Sequence, residues 1–451
     1  MTPVEVGLWG AGLVFFGGSF FLRGGSLWGG LLLVALVGGL LGLHPGNFFL
    51  LEWTPSGVHT GMTRATPPGG YELGHLGSPG GWDLKFLTLF LLEGAVVCFL
   101  GTPVGGYEPL LIGLVAVLAG LLTFSMDNLV LLYLALELQA LALYTLVGFF
   151  KFEEERTDSA LKYLLSGSLV SGFMLLGFAR WYGLNGGFHL GESAGSADPL
   201  GSAWVVGVLL FKVGVAPFHF WTPLAYTPLE WGTLGVTLGA TKVNIWYLLV
   251  STFGDFLRQA WWPTWWAGVA SVVVGSLGGY FQTSVGGLLA YSGVINGGYL
   301  VLLATAAPGD GGFTFGYYLG VYLVGTLAVV TLAATWGDTR VAGFAVWGKL
   351  GVTVPLVLYY LCLSLAGLPV FPGFFAKLAL LTGLGGFGFF FLAGVVTLSV
   401  VPAVYYVSLA VGALFSPTEE ETNPPGGVHP VLVGYLTLGV NGFVLLLWGL
   451  K

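Results

Sequence analysis

Long apolar stretches separated by short polar breaks run the length of the chain, and they predict helices that cross a lipid bilayer. The spans fall at roughly 4–22, 26–43, 85–101, 107–124, 126–150, 160–183, 201–228, 231–253, 262–284, 285–306, 313–336, 352–384, 386–414 and 429–449. Most approach the ~20 residues that hydrocarbon thickness demands. Their apolar runs are continuous rather than alternating, which favours helices over strands of a closed barrel as the way to pair every backbone group in lipid. The pattern therefore predicts an all-α polytopic membrane protein with about fourteen transmembrane helices.

Two segments interrupt the pattern as solvated loops. Residues 44–84 are dense in Pro, Gly and Thr, and their His44, His59 and His75 lack the spacing of metal ligands, so a plain extramembrane loop is expected. The acidic stretch "FSPTEEETNPPGG" at 415–427 reads as a second wet connection. Two long spans also carry internal breaks. Pro217 sits inside "FKVGVAPFHFWTP", and Pro369, Pro372 and Gly373 sit inside "LAGLPVFPGFFAKL". Proline removes a helix hydrogen bond. At membrane depth the freed groups are tolerated only inside protein or beside a wet cavity. Paired breaks in separate halves point to a transporter built from repeats; tightly packed kinked helices are the plainer alternative.

Composition supports the membrane reading. Of 451 residues, 56% are hydrophobic and 8% charged, against about 25% charged in a soluble chain. The 76 glycines suit a bundle whose helix backbones approach closely. A net charge of −7 without a basic patch leaves no role for nucleic acid. Cys98 and Cys362 imply neither a metal site nor a disulfide framework. The N-terminus lacks signal-peptide character, so the first helix is expected to persist. Isoleucine is confined to positions 112, 245 and 295, and the favoured residues have G- and T-rich codons. That bias fits an organelle genome, with a GC-rich bacterium as the alternative.

The candidate chemistry lies in charges placed where lipid would penalise them. Glu137 is near the middle of "DNLVLLYLALELQALALYTLVGFF", and the spans also carry Lys162, Lys212, Lys242 and Lys377. A charge at the centre of a lipid-facing helix costs ~2.5–3.5 kcal/mol, so these residues are expected to face one another or water. Lys162, near a helix start, has snorkelling to the interface as its alternative. Lys242, eleven residues into its span, does not reach the interface so simply. Desolvation disfavours a buried ammonium and a nearby carboxylate favours it. Moving a proton against 100 mV costs ~2.3 kcal/mol, the size of a change of under two pKa units at ~1.36 kcal/mol each. One acid with several lysines is thus suited to passing protons. His219, just after the first break, is a candidate bridge between lysines, with a helix-break hydrogen bond as the equal alternative. Glu93 is a second central carboxylate that matches no pattern. Glu230 and Asp255, near span ends, are expected to be solvated, and Arg180 with Trp181 and Tyr182 to mark an interface.

In the phrases "LYLALELQALALY", "ALKYLLSGSLVSGFMLLG", "FKVGVAPFHFW" and "LSLAGLPVFPGFFAKL" the chain resembles the antiporter-like membrane subunits of NADH:ubiquinone oxidoreductase, respiratory complex I, of the chain 2 or bacterial subunit N type. The resemblance covers roughly residues 105–415, with the phrases in family order. It implies two inverted five-helix repeats, helices 4–8 and 9–13, with helices 7 and 12 broken. The corresponding regions are 1–104 (the first three helices and the 44–84 loop), 105–253 (first repeat), 254–415 (second repeat) and 416–451 (loop and last helix). It also implies that Glu137, Lys162, Lys212, Lys242 and Lys377 form the relay of one proton channel. This subunit would hold no cofactor; NADH, FMN, iron–sulfur clusters and ubiquinone would belong to other subunits. The partners implied are other membrane-arm subunits and lipids. The setting implied is the mitochondrial inner membrane, with a bacterial plasma membrane as the alternative. The chain departs from the family in having Leu224 for an acid after the first break, Gly286 and Gly287 for a basic pair, and Asn296 for a histidine. Asn296 cannot titrate. The competing readings are a subunit of a multisubunit cation/proton exchanger and a scaffold subunit that no longer pumps.

Overall fold

Helices account for nearly all of the residues described by the computed structural model: 107–126, 128–149, 154–189, 198–306, 311–334, 353–369 and 371–415. The spans predicted at 4–22, 26–43, 85–101 and 429–449, both solvated loops, Glu93 and Cys98 lie outside them.

The first group comprises α1 (Tyr107–Leu122), α2 (Leu129–Val147), α3 (Glu154–Asn185) and α4 (Pro199–Val213). It continues through α5 (Trp221–Tyr226), α6 (Trp231–Leu238) and α7 (Ala240–Ser251). The second comprises α8 (Gly254–Gln259), α9 (Trp261–Tyr280), α10 (Val285–Ala306) and α11 (Gly311–Ala334), then α12 (Thr353–Ala366), α13 (Pro372–Gly383) and α14 (Phe389–Phe415). Among the described residues, six spans are long and apolar enough to cross a membrane, with α6 and α7 counted together. Local chemistry sets several starts. The Asn128 side chain accepts from the Val130 N–H at 2.9 Å and caps α2. Asp198 accepts from Gly201 N–H at 3.0 Å at the head of α4, where Pro199 needs no donor partner.

Both predicted breaks are present and have the same backbone pattern. After α4, Gly214 turns left-handed (φ 89°), and Gly214 and Val215 both donate to the Leu210 carbonyl at 3.0 Å. After α12, Gly367 (φ 77°) and Leu368 both donate to the Leu363 carbonyl, at 3.1 and 3.2 Å. Four residues past each glycine the next bond repeats, Phe218 to Val215 and Phe371 to Leu368. Only glycine adopts such a turn without strain. Freed polar groups find protein partners: Ala216 N–H donates to Ser271 Oγ at 2.8 Å, and Trp221 Nε1 to the Phe211 carbonyl at 2.8 Å. The predicted span 231–253 contains a third interruption, at Gly239, which ends α6 just before Lys242.

Close glycine contacts hold the second group together. A Cβ at Gly275 of α9 would come within 2.5 Å of the Ile295 nitrogen, and one at Gly298 of α10 within 2.8 Å of the Gly268 carbonyl. The backbones of α9 and α10 touch because side chains are missing there. The two groups meet where α5 packs on α10 and α6 on α11.

Two expectations at span ends are corrected. Trp181 is fully buried and stacks on Phe253 at 5.5 Å, so it is core rather than an interface marker; only its neighbour Tyr182 is exposed. Glu230 is not solvated: Arg156 Nη1 donates to its Oε1 at 2.9 Å, with both side chains largely buried. Arg180, 44% exposed, is tied to Asp198 by two bonds, Nε to Oδ2 at 2.7 Å and Nη2 to Oδ1 at 3.0 Å.

Candidate functional site

Glu137 lies midway along α2 on a side that faces α3 and the end of α4. Lys212 Nζ stands 3.5 Å from Glu137 Oε1, with the two side chains only 13% and 20% exposed. The same carboxylate oxygen accepts from Ser171 Oγ of α3 at 2.7 Å. Lys212 reaches it because it is in the last turn of α4, before Gly214 ends the helix. A proline-marked break thus delivers a lysine to a carboxylate within the bundle. At that separation the attraction offsets much of the desolvation each charge bears.

Lys242 starts α7 and is 5% exposed. Among the described residues it has no carboxylate partner. Its ammonium lies 5.4 Å over the ring of Tyr226, a contact that favours a cation. The interruption at Gly239 sets it there, with Lys242 N–H donating to the Gly239 carbonyl at 3.2 Å.

A cavity joins the two lysines. Tyr144, Tyr163, Thr237 and Thr241 line it together with Lys212 and Lys242. The centres of water molecules can reach about 30 Å³ of it, room for about two waters at the usual ~10–15 Å³ each. Such a space can hold water between the two lysines.

The residue two places beyond each central charge builds a brace. Asn244 Nδ2 donates to Gln139 Oε1 at 2.9 Å, and Gln139 Nε2 donates to Asn244 Oδ1 at 3.3 Å and to the Thr241 carbonyl at 3.2 Å. Both amides are buried. A Cβ at Gly120 of α1 would lie 2.9 Å from Gln139 Nε2, so glycine there leaves room for the amide pair. This brace fixes α2 against α7, and with them Glu137 relative to Lys242.

The remaining expected residues are elsewhere. Lys162 bonds Asp158 at 2.5 Å, one turn earlier on α3, with its side chain 54% exposed; the structure does not join it to Glu137 and Lys212. His219 is in the first break with its ring 6.5 Å from that of Tyr291, and it does not line the cavity between the lysines. Lys377 belongs to the second break, where it donates to the Ala366 carbonyl at 2.6 Å. Gly367 faces its aliphatic stem. Asn296 donates to the Ser292 carbonyl at 2.8 Å and accepts from Tyr318 at 2.6 Å. The glycine pair that replaces basic residues fits its surroundings, since a Cβ at Gly286 would run into the Tyr226 carbonyl. Ser171, Gln139, Asn244 and Asp158 were not singled out from the sequence. For Gln139 and Asn244 the signal was available: an amide two places after a buried charge, in "ELQ" and again in "KVN".

Residues 126–401 match the family described as NADH:quinone oxidoreductase/Mrp antiporter, transmembrane. The chain belongs to this family. Among its relatives is NADH-quinone oxidoreductase subunit N of Cytophaga hutchinsonii, 30% identical over 349 residues, covering 72% of this chain and 74% of the relative. Another is subunit N 2 of Acidobacterium capsulatum, 30% identical, covering 80% and 79%. In three dimensions the antiporter-family chain resembles one from respiratory complex I of Thermus thermophilus, with a TM-score of 0.74 and 25% identity over 99% of this chain and 97% of that one. A chain of the Mrp complex from Dietzia sp. shares the fold alone, with a TM-score of 0.65 and 20% identity, covering 81% and 82%. These subunit N relatives are bacterial, so they support a bacterial membrane and not the mitochondrial one that residue usage had favoured. Codon bias reports on a genome's base composition, which organelles and GC-rich bacteria can share.

Proposed function

We propose that this chain is a proton-translocating subunit of the membrane arm of a bacterial respiratory complex I, in the plasma membrane. The observation that carries the reading is the Glu137–Lys212 contact opening onto a cavity that Lys242 also lines. A proton held by Lys212 beside a carboxylate and one held by Lys242 against an aromatic face differ in electrostatic setting. A change at Glu137 therefore shifts where the proton rests. Lys377, tied to the carbonyl freed at the second break, continues the line into the other half. The matching backbone patterns at Gly214 and Gly367 support two related repeats, 105–253 and 254–415, of opposite orientation, with 1–104 and 416–451 flanking them. The chain takes part in an NADH:quinone reductase without a redox centre of its own. NADH, FMN, iron–sulfur clusters and the quinone belong to other subunits, and its own partners are neighbouring membrane-arm subunits and lipid.

Affinity purification from the native membrane tests the assignment. The expected result is co-purification with flavin- and iron–sulfur-bearing polypeptides, and NADH-driven proton pumping that Lys242→Ala lowers in a complex that still assembles. Sodium-dependent proton exchange without those polypeptides supports the exchanger reading. Undiminished pumping in Lys242→Ala supports the scaffold reading.

A further inference from the structure

The first break delivers Lys212, and one aromatic side chain beyond the break holds the backbone from which it is delivered. In an unbroken α-helix the Phe211 carbonyl would accept from the Val215 N–H, four residues on. Here Val215 donates to the Leu210 carbonyl instead, at 3.0 Å. The Phe211 carbonyl keeps the Gly214 N–H at 2.9 Å and gains the indole N–H of Trp221 at 2.8 Å. That carbonyl shares one rigid peptide plane with the Lys212 N–H. The indole therefore grips the unit to which the Lys212 side chain is attached.

Trp221 is itself buried and fixed on several sides. Its ring lies flat on Tyr163 of α3, with 4.8 Å between centroids and 8° between planes. Phe211 stacks on it at 5.6 Å, and Tyr226 meets it edge-on at 5.7 Å. Tyr163 is about two turns before Ser171 on α3, and Ser171 donates to Glu137. Through the indole, the end of α4 is thus held in register with the helix that steadies the carboxylate. Trp221 and Tyr163 also wall the cavity that both lysines line. The Lys212–Glu137 separation of 3.5 Å is longer than the ~2.7–2.9 Å of a charge-assisted hydrogen bond. A small rotation of the Phe211–Lys212 peptide plane therefore closes the contact or opens it.

We propose that Trp221 is a positioning residue that aims Lys212 at Glu137 through its hydrogen bond to the Phe211 carbonyl. The ring face locates the indole on α3, and the N–H transmits that location to Lys212. The two features are separable, because a ring without the donor stacks on Tyr163 and leaves the peptide plane ungripped. The inference rests on the relay reading above, since it needs the Lys212–Glu137 contact to serve translocation.

The test places two tryptophan analogues at position 221 of the full chain by nonsense suppression. It measures proton pumping by the assembled complex in sealed membrane vesicles, beside Lys212→Ala. A ring-fluorinated tryptophan keeps the N–H. Benzothienylalanine has the same two-ring shape with sulfur in place of the N–H, so it stacks but cannot donate. The expected result is wild-type pumping with the fluorinated ring. With the benzothienyl ring the complex assembles and pumping slows roughly two- to tenfold, the equivalent of one hydrogen bond, at unchanged KM for NADH. Equal pumping with the two rings, with Lys212→Ala impaired, overturns the positioning role and leaves the relay standing. Loss of the assembled complex with the benzothienyl ring alone assigns the N–H to folding and overturns the role as well. Wild-type pumping in Lys212→Ala overturns the relay and the positioning role together.

Discussion

Ser171 Oγ lies 2.7 Å from Glu137 Oε1 and 3.1 Å from the Gly167 carbonyl, and it has one proton to offer them. With Glu137 ionised, the charged acceptor wins; with Glu137 protonated, the carbonyl takes the proton and the serine accepts instead. The hydroxyl thus follows the charge of Glu137. A hydrogen bond to a charged group contributes ~1.5–3 kcal/mol, and ~1.4 kcal/mol corresponds to a tenfold change in rate. Ser171→Ala is expected to slow pumping by about tenfold in a fully assembled complex, whereas Ser171→Thr, which keeps the hydroxyl, retains most of it. Vesicle pumping rates with an assembly check on native gels decide this.

The Gln139–Asn244 pair predicts a different signature, in stability. Removing one amide leaves the other buried and unpaired, at a cost of ~1–3 kcal/mol. Gln139→Leu and Asn244→Leu should each lower the melting temperature of the purified complex. The double variant should melt above the worse single one, because an apolar pair strands fewer polar groups. A strictly additive double variant argues against the brace.

Close approach of α9 and α10 makes another demand. With a Cβ at Gly275 falling within 2.5 Å of the Ile295 backbone, no side-chain rotation relieves the contact. Overpacking of this kind costs ~1–3 kcal/mol or more. Gly275→Val is expected to reduce the amount of assembled complex in membranes, and Gly172→Ala, on α3 with open space around it, is not.

The Arg180–Asp198 pair predicts pH dependence. The hydrogen bond from Arg180, helped by backbone donors at Gly201 and Leu200, holds the Asp198 carboxyl below the usual carboxylate range. A depressed folded-state pKa means stability that is fully present above the unfolded value, near pH 4, and lost as pH falls through the folded one. Melting curves from pH 6 downward should therefore show an acid loss that is smaller in Asp198→Asn, which starts from a lower melting temperature. Parallel curves for the two proteins contradict this.

Several apolar spans among the described residues and both proline breaks were legible because run length and proline chemistry are local properties. Glu137, Lys212 and Lys242 were legible for a related reason, since a charge in an apolar run is conspicuous wherever it points. What the sequence withheld was pairing. Glu230 read as solvated because its partner Arg156 is 74 residues away, and Trp181 read as an interface residue because stacking on Phe253 is a tertiary fact. Lys162, like Lys242, lies in a long apolar span, yet it faces outward beside Asp158; helical facing, which the sequence alone does not show, separates them. The interruption at Gly239 carries no proline, and glycine is so common in this chain that one more gave no signal.

Glu137 and Lys212, in contact between α2 and α4, are proposed to act together on one translocated proton. The most direct measurement is a double-variant cycle, Glu137→Gln, Lys212→Met and both, on protons pumped per NADH oxidised by the assembled complex in sealed vesicles. If the two residues serve one event, each single variant lowers the ratio and the pair lowers it no further than the worse single. A double variant that assembles and pumps at the wild-type ratio contradicts the claim.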